Sequence, residues 1–118
     1  MTEQPILIYE DDVLLVCNKL AGLMVEPDRN NFPNLLQQVK NYLKKNTQEK
    51  QPYVQHLHRL DRPVSGVVLF TKQKEYLRNL SEQFAQRTVS KYYTALTLHS
   101  PEIKTGILEH WHRKEKKK

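Results

Sequence analysis

Apolar residues along this chain fall into short runs whose spacing switches between two and three or four. Ile6–Tyr9 and Val13–Cys17 are two such runs, separated by Glu10, Asp11 and Asp12, the pattern of a hairpin or a bent strand pair. Asn18-Lys19-Leu20-Ala21-Gly22 interrupts it, and Val25 to Asn31 reads as a polar loop. Pro33 suits the first turn of a helix, where its missing N–H has no helical partner. Leu35, Leu36, Val39, Tyr42 and Leu43 then recur on one helical face, with Lys40, Lys44 and Lys45 off it. Residues 46–52 resemble a linker, and Tyr53-Val54 opens a short extended stretch.

Gly66-Val67-Val68-Leu69-Phe70 is a continuous apolar run rich in β-branched residues, which predicts a strand buried on both faces. Thr71 is placed to cap a following helix in which Leu77, Leu80 and Phe84 share a face. From Tyr92 to Leu98 the period returns to two. Tyr92, Thr94, Leu96 and Leu98 lie on one side, and Lys91, Tyr93, Ala95 and Thr97 on the other. Tyr92 therefore reads as a core residue. A last extended segment, Gly106–His112, leads into the basic run RKEKKK at 113–118. The elements describe an α+β fold with no internal repeat.

Length limits the chain to a single domain, since 118 residues bury roughly two-thirds of their unfolded surface around one core. The net charge is +6, but +4 of it belongs to residues 113–118, so global charge says little about a nucleic-acid partner and local patches must be judged. Cys17 is the one cysteine and lies in an apolar run; it is expected to be a buried structural thiol, which fits a reducing compartment. No stretch approaches the roughly 20 apolar residues of a membrane span. MTEQPILIYEDD is too acidic for a secretory signal. A soluble, cytoplasmic protein is expected.

The residues with chemistry are concentrated at 56–66, HLHRLDRPVSG. His56-x-His58 and His110-x-His112 each place two imidazoles on one face if extended, but zinc needs three or four such ligands. The arginines at 59 and 62 also oppose a dication, so no metal is expected. Three glycines, at 22, 66 and 106, make neither a P-loop nor a dinucleotide fingerprint. Ser65 lacks the elbow of a serine hydrolase. Asp61 remains, between Arg59 and Arg62. Two adjacent guanidinium groups would hold its carboxylate ionised and offset its repulsion from nucleic-acid phosphates. From the residues alone, an ion-paired structural turn and a catalytic aspartate both stay open.

HRLDRPVSG resembles the H-R-L-D-x-x-T-S-G motif of the RluA family of RNA pseudouridine synthases. VCNKLAGLMVEP at 16–27 is similar to that family's N-K-P-x-G-x-x-V segment, and KYYTAL at 91–96 to its K-x-Y motif. The resemblance runs from about Ile6 to His112. It implies the catalytic fold of these enzymes, a mixed and mostly antiparallel sheet with two flanking helices. It also implies isomerisation of uridine in structured RNA, ribosomal or transfer, without metal, nucleotide or organic cofactor. The motif aspartate maps onto Asp61, acting on the sugar of a flipped-out uridine by attack at C1′ or proton removal at C2′. Arg59 corresponds to an arginine that contacts RNA around that nucleotide, and Tyr93 to a tyrosine against the uracil ring. His58, Arg62 and Lys91 are expected beside the substrate. Lys19 is expected either to contact phosphate or to pair within the fold.

Three departures stand out. Leu20 replaces the family's Pro and Val64 its Thr, and the later L-x-T-G-R-x-H-Q-I-R segment is missing. The expectation is a single, truncated catalytic domain over 1–118, roughly half the family's length, with 113–118 a basic tail or an interrupted loop. An enzyme is one reading; a non-catalytic RNA-binding fragment of the same fold is the alternative, and it predicts exposed apolar surface and an unpaired sheet edge.

Overall fold

Alternation along Leu14–Lys19 turns Leu15, Cys17 and Lys19 to one side, where all three are fully buried. The facing strand supplies Val68 and Phe70, also fully buried, and the register sets Leu15 opposite Phe70 and Cys17 opposite Val68. These pairs are the centre of the core. A computed structural model describes residues 4–103, 105–107, 109 and 111. Within them the order is β1 (Ile6–Glu10), β2 (Leu14–Lys19), α1 (Leu35–Thr47), β3 (Gln55–His56), β4 (Gly66–Thr71) and α2 (Lys74–Ala85). The strands form one sheet ordered β1-β2-β4-β3, and each neighbouring pair is antiparallel. One isolated parallel bridge joins Met24 to Asn34.

The β1–β2 hairpin forms as the sequence predicts. Its turn is fixed by Asp11, whose Oδ1 accepts the Val13 and Leu14 N–H groups at 2.8 and 2.7 Å. Helix α1 lays Leu35, Leu36, Val39 and Leu43 over the core, each 6 % exposed or less. Burying a side chain of this size stabilises a fold by about 1.5–3 kcal/mol. Asn34 caps the helix, accepting the Gln37 N–H at 2.9 Å, so Pro33 precedes the cap and does not enter the first turn. At the other end Gln48 takes a left-handed conformation (φ 62°), and Lys44 and Lys45 face the carbonyl end.

Three expectations need correction. Strand β4 is sealed on one face only, because Val67 is 51 % exposed and Leu69 half-buried, while α2 covers their side incompletely. Thr71 does not cap α2: it ends β4, paired with Leu14 and Gln55, and its hydroxyl donates to the Val13 carbonyl at 3.1 Å. Gln73 occupies the cap position, with no side-chain cap bond. Residues 91–98 form no strand, and Tyr92, Leu96 and Leu98 are almost wholly exposed. Alternation encodes two faces but does not supply the neighbour whose hydrogen bonds make a strand, and among the described residues no strand lies alongside. Tyr92 is thus not a core residue. The expected segment 106–112 and the run 113–118 fall largely or wholly outside the described residues.

Candidate functional site

The loop joining β3 to β4 carries the chemically dense motif. Leu57 and Leu60 anchor it, buried to 7 % and 9 % exposure, and the Leu57 N–H donates to the Leu69 carbonyl at 2.9 Å. Between these anchors and β4 the chain turns outward. The Val64 N–H donates to the Asp61 carbonyl at 2.9 Å, and residues 61–65 are all exposed. Gly66 resumes the sheet with φ +145°, a conformation L side chains rarely adopt. Among the described residues, the Asp61 carboxylate has neither a hydrogen bond nor an ion pair.

What holds this turn in place is Lys19. Its side chain is fully buried at the end of β2, and its ammonium donates to the carbonyls of Leu20 (3.1 Å), Leu23 (2.6 Å) and Arg62 (3.1 Å). A buried ammonium is tolerable only when its donors are met in this way. Burial lowers its pKa from the ordinary lysine range, and the nearby Asp61 charge acts in the opposite direction. Gly22, at φ +91°, brings its own N–H to the Arg62 carbonyl at 2.7 Å, while Arg62 Nε returns a bond to the Gly22 carbonyl at 3.1 Å. The 18–23 turn and the 61–64 turn are therefore clamped together. Of the two roles open to Lys19, the geometry supports pairing within the fold; its ammonium is spent on carbonyls and does not face solvent.

The arginines do not bracket Asp61 as the sequence suggests. Arg59 Nη1 donates to Glu26 Oε1, and Glu26 Oε2 lies 3.4 Å from His56 Nε2. Arg62 bonds Gly22 and stacks over the Phe32 ring, 4.9 Å from its centroid. Neither guanidinium forms an ion pair with Asp61. Adjacent residues on a turn diverge, so closeness in sequence did not translate into contact. Glu26 and Phe32 are the partners sequence reasoning missed. Phe32, a large apolar residue in a polar loop, was a visible signal; the Glu26–Arg59 pair, 33 residues apart, left none.

Beside the turn lies a groove of about 570 Å³, within the range of small-ligand sites. His58, Lys91 and Tyr93 line it, with Leu60 and Val64 at the Asp61 end and Phe84 of α2 as a wall. Asp61 itself is next to the lining and not part of it. Tyr93 is 65 % exposed. Tyr92 and Lys91 line the groove as well, so the expected division of Tyr92 and Tyr93 between opposite faces does not hold. His58 stacks on Phe84, ring centroids 4.5 Å apart and 12° from parallel, and its Nε2 accepts the Leu69 N–H at 3.1 Å. Burial, then the Lys91 and His56 charges, depress its pKa. The bond to Leu69 agrees, because only an unprotonated Nε2 accepts.

His56 and His58 serve different neighbours, since β3 ends at His56 and the alternation stops there. Among the described residues no three His, Cys, Asp or Glu side chains gather to hold a metal ion; His110 and His112 lie outside them. No helix among the described residues is long and apolar enough to cross a membrane.

Comparison with known proteins supplies the family. The model of the RNA pseudouridylate synthase family matches residues 13–118. Ribosomal large subunit pseudouridine synthase C of Vibrio vulnificus is 35 % identical over 95 residues, 80 % of this chain and 29 % of its own. tRNA pseudouridine synthase C of Haemophilus ducreyi is 38 % identical over 93 residues, 76 % of this chain and 35 % of its own. Dual-specificity RNA pseudouridine synthase RluA of Escherichia coli K12 is 31 % identical over 104 residues, 88 % of this chain and 45 % of its own. The chain thus spans less than half the length of each. A solved structure, human RNA pseudouridylate synthase domain containing 4, shares the fold at TM-score 0.60 and 24 % identity, over 70 % of this chain and 30 % of that one. The α+β sheet-and-helix arrangement and the matched residues agree: the chain belongs to the RNA pseudouridylate synthase family.

Proposed function

We propose that this chain forms part of an enzyme converting uridine to pseudouridine in ribosomal or transfer RNA, with Asp61 acting on the sugar of a flipped-out uridine. The observation that carries this reading is the state of Asp61. It is an exposed carboxylate on a turn held from behind by a buried lysine, without a partner among the described residues and next to a groove lined by Tyr93, Lys91 and His58. Water satisfies an exposed carboxylate, so Asp61 is not committed to a structural bond among the described residues. A carboxylate left free on a rigid support suits catalysis, where a group must be placed and yet unspent.

The chemistry divides among the residues accordingly. The N1–C1′ bond breaks and C5 of the base joins C1′, with C5 losing its proton and N1 gaining one. Ionised Asp61 either attacks C1′ or removes a proton from C2′. Tyr93 lies against the uracil ring, and a base drawn from its stack regains there some of the few kcal/mol that flipping costs. Arg59, Arg62 and Lys91 supply positive charge for the backbone. Carbodiimide mapping of pseudouridines on ribosomal and transfer RNA tests this with the full-length product of the gene. Modified uridines that disappear on gene deletion and return with the wild-type gene support it, and an unchanged map contradicts it.

A second reading keeps RNA binding but not turnover by this chain alone. The observation favouring it is the exposure of Tyr92, Leu96 and Leu98 in a segment that has no strand alongside among the described residues. In the same mapping with the 118-residue chain, RNA retained without new pseudouridine identifies this case.

A further inference from the structure

Glu26 divides its carboxylate between two partners of different character. Oε1 receives Arg59 Nη1, and Oε2 faces His56 Nε2 at 3.4 Å. The His56 side chain, on β3, is only 17 % exposed, whereas the Arg59 side chain is 61 % exposed. One oxygen is therefore seated against a nearly enclosed ring, and the other restrains a guanidinium that is largely in water, two residues before Asp61. The restraint engages one guanidinium nitrogen, and among the described residues the others have no partner. A phosphate accepts from a guanidinium through two parallel bonds, so a nucleic-acid backbone offers Arg59 a better partner of the same charge. Both partners in the Glu26–Arg59 pair touch water, which keeps the pair weak and exchangeable.

We propose that Glu26 is a positioning residue that stands in for an RNA phosphate: it holds Arg59 in the free protein and yields it to the RNA backbone on binding, while His56 retains the carboxylate for the return. The inference rests on RNA being the partner, as proposed above. It makes Glu26 a built-in brake on RNA affinity that acts through one named arginine.

The test is a double-mutant cycle on the 118-residue chain, reading affinity for a fluorescein-labelled, uridine-containing RNA hairpin by anisotropy, with thermal melts to confirm that each variant folds. Glu26→Gln is expected to tighten binding about threefold, the scale of a water-exposed ion pair. In the Arg59→Ala background the same substitution is expected to change nothing. Glu75→Gln, which removes the same charge from the first turn of α2, controls for net charge and is expected to give a smaller gain than Glu26→Gln. A gain that persists without Arg59, or that Glu75→Gln matches, overturns the proposal in favour of simple repulsion. Unchanged or weaker binding by Glu26→Gln overturns it too. Failure of the wild-type chain and every variant to bind the hairpin refutes RNA binding itself, a result distinct from the other two.

Discussion

Replacing Lys19 by methionine keeps the apolar stem and removes the ammonium, so it isolates the clamp beneath the Asp61 turn. Three carbonyls lose a donor, and their losses are unequal. The Leu20 carbonyl keeps the Leu23 N–H at 3.3 Å and the Arg62 carbonyl keeps the Gly22 N–H at 2.7 Å. The Leu23 carbonyl has no other donor among the described residues. An orphaned acceptor in a buried setting costs about 1–3 kcal/mol, and each weakened acceptor about 0.5–1 kcal/mol. Relief from burying a charge offsets part of this, which leaves a net loss of about 2–4 kcal/mol. That is a large share of the roughly 5–15 kcal/mol that holds a domain together. Urea denaturation of the 118-residue chain reads the loss directly, and the melting temperature should fall on the order of 10 °C. The loss should also be local. Amide exchange at Gly22 and Val64, whose N–H groups close the two clamped turns, should accelerate more than exchange at Val68 in the core strand. A destabilisation below about 0.5 kcal/mol, the level of an ordinary surface substitution, would refute the buried-clamp argument and return Lys19 to solvent.

Other expectations follow from groups whose surroundings alter their chemistry. His58 has a depressed pKa in the folded chain, so the unfolded chain takes up a proton first as pH falls. The stability tied to this histidine is present above about pH 6.5 and is lost as pH drops from there through the folded value. His58→Phe keeps the ring on Phe84 but cannot titrate; its urea midpoint should fall less between pH 7 and pH 5 than that of the wild type, and parallel curves would contradict the assignment. Cys17 is fully buried, and burial followed by the Glu10 charge pushes its thiol up to about 12. Iodoacetamide should label it slowly in the native chain and readily in urea, whereas rapid native labelling would show that the β2–β4 core opens. Tyr42 donates its hydroxyl to Glu10 at 2.7 Å, tying α1 to β1. Tyr42→Phe should cost about 0.5–1.5 kcal/mol in the same denaturation assay; no loss would mean that the bond is not maintained in solution.

Periodic segments were legible wherever the chain itself supplies the packing partner. The hairpin, α1 and β4 all meet one another in the described residues, and their apolar spacing foretold where. Segment 91–98 has equally clear alternation, yet among the described residues no strand lies alongside it and it forms none. The half-exposed face of β4 failed for a related reason, since a run of apolar residues records the propensity to be covered and not the extent of the cover. At the site, the sequence singled out a motif that the fold places on one exposed turn beside a groove, and it misjudged how those residues are joined. Arg59, Asp61 and Arg62 lie within four positions, but the two arginines turn to different partners, and Glu26, Phe32 and Gly22 come from distant segments. Lys19 shows the limit most plainly. A lysine flanking a turn reads equally as a phosphate contact or an internal donor, and only the position of the Leu23 and Arg62 carbonyls decides.

The central claim is that the Asp61 carboxylate does the chemistry while the surrounding residues hold it and the RNA. Forming the C5–C1′ bond expels the hydrogen on C5, so tritium release from RNA labelled at uridine C5 counts turnovers. In the full-length gene product, Asp61→Asn should abolish that release while changing RNA affinity less than about threefold, because the turn is held through backbone carbonyls and Lys19 and not through the Asp61 side chain. Tritium released by Asp61→Asn at the wild-type rate would contradict the account.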